Sequence, residues 1–394
     1  MNLLLNADAR QIPLADQSVH CVVTIPPYYG LRDYGVSDQI GLEQTPEEYV
    51  AAMVRVFREV WRVLRDDGTL WLNIGDSYAG GGRGGNSDAI TGRGKDMSII
   101  KSKRNASRWG GGNIAATGDI KPKDLIGIPW MLAFALRADG WFLRQDIIWH
   151  KPNPMPESVK DRCTKAHEYI FLLTKSARYY YDNEAVKESS KDPEDDRGAR
   201  GNNKRKPTRL IAGIRHSGVY PMANRRSVWT ISTKPYPGSH FATFPPDLVE
   251  PCILAGTSEK GVCPQCGAPW ERVIERGNLI STDGTKDDYQ PLKATDDPKV
   301  KGRSEGWVPN HYVEQSTIGW RPTCDCGVQE TVPATVFDPF VGSGTALMVA
   351  RKHGRRGIGL DLSWNYLNTN ARERLVYGSY VPVAEGVNQL TINV

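Results

Sequence analysis

The chain has 394 residues, more than one ordinary core requires, so its length predicts either two domains or one large domain with insertions. Charged residues at 24% and hydrophobic residues at 39% exclude a disordered or fibrous chain. The net charge of +5 is too mild to name a partner by itself.

The longest nearly uncharged apolar run, residues 126–136, falls short of the roughly 18 to 20 residues that span a bilayer, so no membrane segment is expected. Leu3, Leu4 and Leu5 lack a basic flank and meet Asp8 at once, which does not read as a signal peptide; a cytoplasmic location is the expectation. With 39 glycines and 26 prolines, more loop than usual is expected.

Val22, Val23 and Thr24 form the first strand signal, ended by Pro26 and Pro27, which cannot continue a ladder. Thr45-Pro46-Glu47-Glu48 reads as a helix start, with apolar residues at Val50, Met53, Val54, Phe57, Val60, Trp61 and Leu64 and a stop near Gly68. A buried strand is predicted over 69–74, a helix over 123–139, and strands over 141–149 and 167–174. A short helix follows the double proline over 246–254. The C-terminal part then reads strand 334–338, glycine turn, helix 345–353, strand 356–361 and helix 363–375. The alternation predicts a mostly parallel α/β sheet.

Three stretches do not fit that sheet: a Gly-rich basic loop at 78–122, a polar and basic stretch at 183–235, and a segment at 261–329. They are expected to be insertions on a single catalytic domain spanning 1–394. From Arg197 to Lys234 there are ten basic residues and no acid, among them Arg200, Lys204, Arg205, Lys206, Arg209, Arg225 and Arg226. Basic residues at that density suit phosphate neutralisation and the reading of base edges. Without that segment the remaining 356 residues carry a net −5, so the mild total conceals an acidic body with one basic insertion.

Seven cysteines include two tight pairs, Cys263-Pro264-Gln265-Cys266-Gly267 and Cys324-Asp325-Cys326-Gly327. Four thiolates at this spacing make a closed tetrahedral site, so structural zinc is expected at Cys263, Cys266, Cys324 and Cys326. Cys21, Cys163 and Cys252 are expected in the core.

The turn Asp338-Pro339-Phe340-Val341-Gly342-Ser343-Gly344-Thr345 lies between a strand and a helix, where glycines let the backbone approach a ligand at a helix N-terminus. Asp361 ends the next strand, where a carboxylate can accept both hydroxyls of a ribose. There is no third glycine at the dinucleotide position and no Gly-Lys-Thr, so neither a dinucleotide fingerprint nor a P-loop fits best. The turn resembles the S-adenosylmethionine motif of DNA amino-methyltransferases. By that resemblance Asp338, Phe340, Gly342, Gly344 and Thr345 surround the methionine moiety and Asp361 holds the ribose.

Thr24-Ile25-Pro26-Pro27-Tyr28-Tyr29-Gly30 resembles the catalytic loop of the same family, whose usual forms are Ser-Pro-Pro-Tyr and Asp-Pro-Pro-Tyr. An exocyclic amino group is a poor nucleophile because its lone pair is delocalised into the ring. Fixed acceptors for both amino protons favour a pyramidal nitrogen, and preorganised acceptors reorganise little during reaction. The Pro26 carbonyl takes that role, and Tyr28 offers a face for a base flipped out of the helix. Ile25 replaces the family's Ser or Asp and cannot accept a hydrogen bond. Thr24 before the prolines leans the target to N4 of cytosine over N6 of adenine.

Further segments match in order. Asn6-Ala7-Asp8 implies that Asp8 contacts the cofactor adenine. The run from Asp67 to Ser77 is similar to the next sheet strand and its loop, while Trp149-His150-Lys151-Pro152-Asn153 with His167-Glu168 resembles the lining of the target-base pocket. His240-Phe241-Ala242-Thr243-Phe244-Pro245 resembles the edge of the cofactor pocket, which implies Phe244 and Pro245 there.

The implied fold is a Rossmann-like S-adenosylmethionine-dependent methyltransferase sheet with a circularly permuted motif order, carrying basic and zinc-ribbon-like insertions. The implied activity is site-specific methylation of double-stranded DNA; a homodimer and a cognate restriction endonuclease are the further partners it admits. Two other readings stay open: a catalytically impaired zinc-containing DNA-binding protein, motivated by Ile25, and an RNA or protein amide methyltransferase.

Overall fold

The computed structural model describes residues 2–31, 33, 35–80, 119–189, 222–233, 244–281 and 311–375. Eight strands form the main sheet: β1 (Asn2–Asn6), β2 (Val19–Thr24), β3 (Leu64–Ile74), β4 (Phe142–His150), β5 (His167–Thr174), β8 (Val228–Thr230), β11 (Thr335–Asp338) and β12 (Arg356–Asp361). Their order is β1-β12-β11-β2-β3-β5-β4-β8. The first five run parallel, β5 is antiparallel to both β3 and β4, and β8 lies parallel to β4. The short strands β6 (Glu188–Ser189) and β7 (Met222–Ala223) pair with each other, and β9 (Trp270–Ser281) with β10 (His311–Pro322) makes a separate antiparallel ribbon.

Strand residues alternate between two apolar layers, as period-2 side chains on a sheet must. Leu5, Val22, Leu70, Leu72, Phe337 and Ile358 face helices α1 (Pro46–Val63) and α2 (Ile128–Ala138). Leu4, Cys21, Val23, Trp71 and Val336 face α3 (Pro246–Gly256) and α4 (Thr345–Lys352). A helical segment after β12 runs from α5 (Trp364–Tyr366) through a π turn, Leu367–Ala371, into α6 (Arg372–Arg374).

The start of α1 is set by a capping box: the Thr45 hydroxyl accepts from the Glu48 amide, and the Glu48 carboxylate accepts from the Thr45 amide. The helix stops earlier than its apolar stripe suggests, because Leu64 opens β3 and pairs with Val19 instead of closing a turn. Likewise α2 begins at Ile128 rather than 123. Lys123 and Gly127 take φ of 75° and 86°, which no right-handed helix accommodates, and the Asp76 carboxylate accepts from the Gly127 and Ile128 amides at the new start. The strand over 167–174 appears as expected.

The basic stretch at 183–235 is not wholly an insertion, since β8 within it closes one edge of the main sheet and buries Trp229. Cys21 and Cys252 are buried as expected, but Cys163 is exposed: it lies in the loop between β4 and β5, among Lys160, Asp161, Arg162 and Lys165. Among the described residues no helix is long and apolar enough to cross a membrane.

Candidate active site and metal centre

Thr24, Asp338 and Asp361 are the last residues of β2, β11 and β12, so the parallel strands deliver them to one carboxyl edge of the sheet, where ligands of open α/β sheets bind. The Thr24 hydroxyl donates to Oδ1 of Asp338 at 2.7 Å and so joins the Pro-Pro-Tyr loop to the glycine turn. The Phe340 amide donates to the same Oδ1 at 3.1 Å, while Oδ2 is buried with no hydrogen-bond partner among the described residues. Burial pushes the Asp338 carboxyl up to about 7, against the hydrogen bonds from Thr24 and Phe340, which favour its ionised form.

Asp361 accepts from the Ser363 amide at 2.9 Å and from the Gly342 amide at 3.3 Å. Burial raises this carboxyl to about 6, with those amides opposing. Gly342 and Gly344 have φ of 48° and 79°, the left-handed conformation that the turn requires. Beside the turn, an open and largely apolar cleft is lined by Asp8, Pro27, Ile40, Phe340, Leu360 and Leu362 among others. The Asp8 carboxylate there is gripped by Arg10, whose Nη2 lies 2.6 Å from Oδ2. Burial opposes ionisation of Asp8, but the Arg10 hydrogen bonds and charge prevail and hold it below the usual carboxylate value.

Pro26 is buried, and the Pro27 carbonyl accepts from the Tyr49 hydroxyl at 2.8 Å. The Tyr28 hydroxyl donates to Glu168 Oε2 at 2.8 Å, and its ring leaves no room for a side chain at Gly75, where a Cβ would lie 2.6 Å from Tyr28 Cε2. Burial, with the Glu168 charge adding to it, raises the Tyr28 phenol well above its ordinary value, so it stays protonated. Glu168 also pairs with Lys151 and accepts from Asn73 Nδ2 at 3.3 Å. Ile25 lines a second, smaller cleft with Thr24, Asn73 and Phe244, under α3. Phe244 and Pro245 are both buried at the start of that helix. Thr345 is buried at the start of α4, and its hydroxyl accepts from Arg374 Nη1 at 2.8 Å.

The acids, the glycines and both prolines singled out in the sequence come together at one edge of the sheet. Arg10, Tyr49 and Arg374 escape sequence reading because no motif marks a cation or a phenol that reaches a carboxylate, hydroxyl or carbonyl from elsewhere. Of the basic residues expected to meet DNA, Arg200, Lys204, Arg205, Lys206 and Arg209 lie outside the described residues. Arg225 sits over the Trp229 ring at 4.6 Å, and Arg226 pairs with Glu188 at 2.8 Å.

At the opposite end of the sheet, the Sγ atoms of Cys263, Cys266, Cys324 and Cys326 lie within 4.8 Å of one another. This knuckle is docked on the catalytic sheet: Arg65 donates to the Cys266 carbonyl at 2.7 Å, and His20 contacts the Gly267 carbonyl at 3.0 Å while accepting from the Thr335 amide. The convergence of four thiols matches the closed tetrahedral set expected from the sequence.

A mixed sheet of this order, with a glycine turn and two strand-end acids at its carboxyl edge, defines the class of Rossmann-like methyltransferases. Residues 19–263 and 331–372 match the N6/N4 family of DNA methylases. The chain belongs to that family and is a DNA methyltransferase. It is 49% identical over 256 residues to the Type II methyltransferase M.Cfr9I of Citrobacter freundii, covering 64% of this chain and 72% of that one. It is 48% identical over 260 residues to M.SmaI of Serratia marcescens, covering 66% and 76%. Its 30% identity to M.SfiI of Streptomyces fimbriatus extends over 403 residues, 90% of this chain and 86% of that one. The PvuII DNA methyltransferase (cytosine-N4-specific) shares the fold, with a TM-score of 0.50 at 14% identity over 98% of this chain and 88% of that one.

Proposed function

We propose that the chain transfers a methyl group from S-adenosylmethionine to an exocyclic amino group in duplex DNA, with N4 of cytosine favoured over N6 of adenine. The observation that carries this reading is the Thr24 to Asp338 hydrogen bond, which fixes the target-binding loop against the cofactor turn. The cofactor fits what is present. Asp361, held by two backbone amides, suits the ribose hydroxyls, the apolar cleft beside Asp8 and Phe340 suits adenine, and the unpartnered Oδ2 of Asp338 suits the cationic methionine end.

Bound there, S-adenosylmethionine would supply an electrophilic methyl for the amino nitrogen, its sulfur keeping the C–S pair while the nitrogen gives up one proton. The protein's part is to hold the amino group at the Pro26 carbonyl and to exclude water beneath α3. The lean to cytosine rests on Thr24 and on the absence of an aspartate before the prolines.

The four thiols would hold structural zinc, which has no place in the transfer and instead ties the β9–β10 ribbon to the sheet. The Type II designation of the relatives supports a restriction endonuclease as a functional partner. The test is incubation of unmodified genomic DNA with labelled S-adenosylmethionine, followed by nucleoside mass spectrometry. N4-methylcytosine is the expected product, N6-methyladenine would reverse the base preference, and no labelled base would sink the reading.

A further inference from the structure

The family's catalytic loop offers two acceptors to the target amino group, one from the backbone and one from the side chain that precedes the prolines. Here that side chain is Ile25, which leaves one amino proton without its acceptor. Across the sheet, Thr24 pairs with Leu72, so Asn73 stands level with Ile25 on the neighbouring parallel strand. By the alternation of the pleat, Ile25 and Asn73 point to the same face, the one that α3 covers, and both line the small cleft beneath it.

Asn73 is 5% exposed, and its amide orientation is fixed. Nδ2 donates to the Tyr169 carbonyl at 2.9 Å and to Glu168 Oε2 at 3.3 Å; a flipped amide would set its oxygen against two acceptors. Oδ1 is therefore the remaining atom, and it is buried with no hydrogen-bond partner among the described residues. A buried amide oxygen left unpaired is costly, and one that lines a cleft beside the catalytic loop is placed to accept a hydrogen bond from what enters there. Among the other polar side chains of that cleft, Trp71 Nε1 is a donor only and the Cys252 sulfur, whose thiol donates to the Leu248 carbonyl, is a weak acceptor. The Thr24 hydroxyl gives its proton to Asp338 and keeps acceptor lone pairs, but it is already held against the glycine turn, whereas Asn73 offers an amide oxygen.

We infer that Asn73 Oδ1 accepts the second amino proton of the target base, in place of the side chain that Ile25 lacks. Glu168 is then a positioning residue, holding the Asn73 amide and the Tyr28 hydroxyl with one carboxylate oxygen. The inference rests on the proposed amino-group methylation.

The test is single-turnover methylation at saturating labelled S-adenosylmethionine and DNA, with cofactor affinity measured separately by calorimetry. Asn73→Ala should lower the transfer rate about 100-fold, as loss of one preorganised hydrogen-bonding group does, with cofactor affinity within threefold of the parent. Ile25→Ser in the Asn73→Ala background should recover at least about tenfold by restoring an acceptor on the loop. A rate within threefold of the parent overturns the inference, as does a double variant no faster than Asn73→Ala. A loss confined to cofactor affinity overturns it too, since Oδ1 would then serve the cofactor. If Asn73→Ala gives no cooperative melt, Asn73→Ser, whose oxygen is set back from the cleft, is measured in the same way. It should be slowed in the same direction, and an unchanged rate again overturns the inference. An unaltered chain that methylates no DNA sinks the underlying reading instead.

Discussion

Asp338→Asn should make the ligand-free protein more stable and the enzyme inactive. The side chain is 1% exposed, and burial brings its carboxyl from an ordinary value of 3.8 to about 7. In the unfolded chain the proton leaves near the ordinary value and in the folded protein near 7, so between the two the folded state holds the extra proton. Stability then falls as pH rises through that window, and the deficit is complete above it. Three pH units at about 1.4 kcal/mol each put the full deficit at up to about 4 kcal/mol, of which about 2 is already present at pH 5.5.

Asparagine keeps an oxygen for the Thr24 hydroxyl and the Phe340 amide and carries no charge to desolvate. At about 2 °C per kcal/mol for a chain of this size, the variant's melting temperature should gain about 4 °C on the parent's between pH 5.5 and pH 8.5. Thermal melts of the two ligand-free proteins across that range read the difference, and any constant offset from packing cancels. A difference that stays flat with pH would refute the claim that an ionised Asp338 is strained in the empty site. The same variant should bind S-adenosylmethionine weakly, because the cation that relieves the charge has lost its partner.

Cofactor affinity of the unaltered enzyme should fall as pH drops below 7 and Asp338 takes up its proton, read by calorimetry at a series of pH values. Gly75→Ala should cut turnover at least about tenfold with little change in melting temperature, because the new Cβ would lie 2.6 Å from the Tyr28 ring and must displace the catalytic loop. Elemental analysis should find one zinc per chain, and Cys263→Ser or a strong chelator should lower the melting temperature by several degrees as the knuckle loosens from β2 and β3. Replacing Arg200, Lys204, Arg205 and Lys206 by alanine should reduce the slope of log affinity for DNA against log salt by about 3 to 4, roughly one for each phosphate no longer neutralised.

The strand-end acids were legible because their chemistry is local: Asp338 and Asp361 each close a short β-branched or apolar run beside a glycine or a helix cap. Thr45 with Glu48 announced α1 for the same reason. The end of α1 was not legible, because Leu64 satisfies a helical stripe as well as it satisfies a strand, and pairing with Val19 decided the outcome. The start of α2 depended on a carboxylate, Asp76, more than fifty residues earlier in the chain. Asn73 stood inside a recognised segment, yet its role could not be read until the register placed it level with Ile25.

The β2–β11 pairing has a consequence for synthesis. Val22 and Phe337 lie side by side at the middle of the sheet but are separated by more than three hundred residues. A chain emerging from the ribosome can assemble β2, β3, β5 and β4 early, yet the flank of β2 that receives β11 stays open until nearly all of the protein has been made. Pairings of such long range close slowly, and an open strand edge invites pairing with the wrong partner. The catalytic loop and the cofactor turn hang on either side of that seam. Methylating capacity therefore appears only when the last strands arrive, and a prematurely terminated chain would carry the basic segment proposed to contact DNA without the means to modify it.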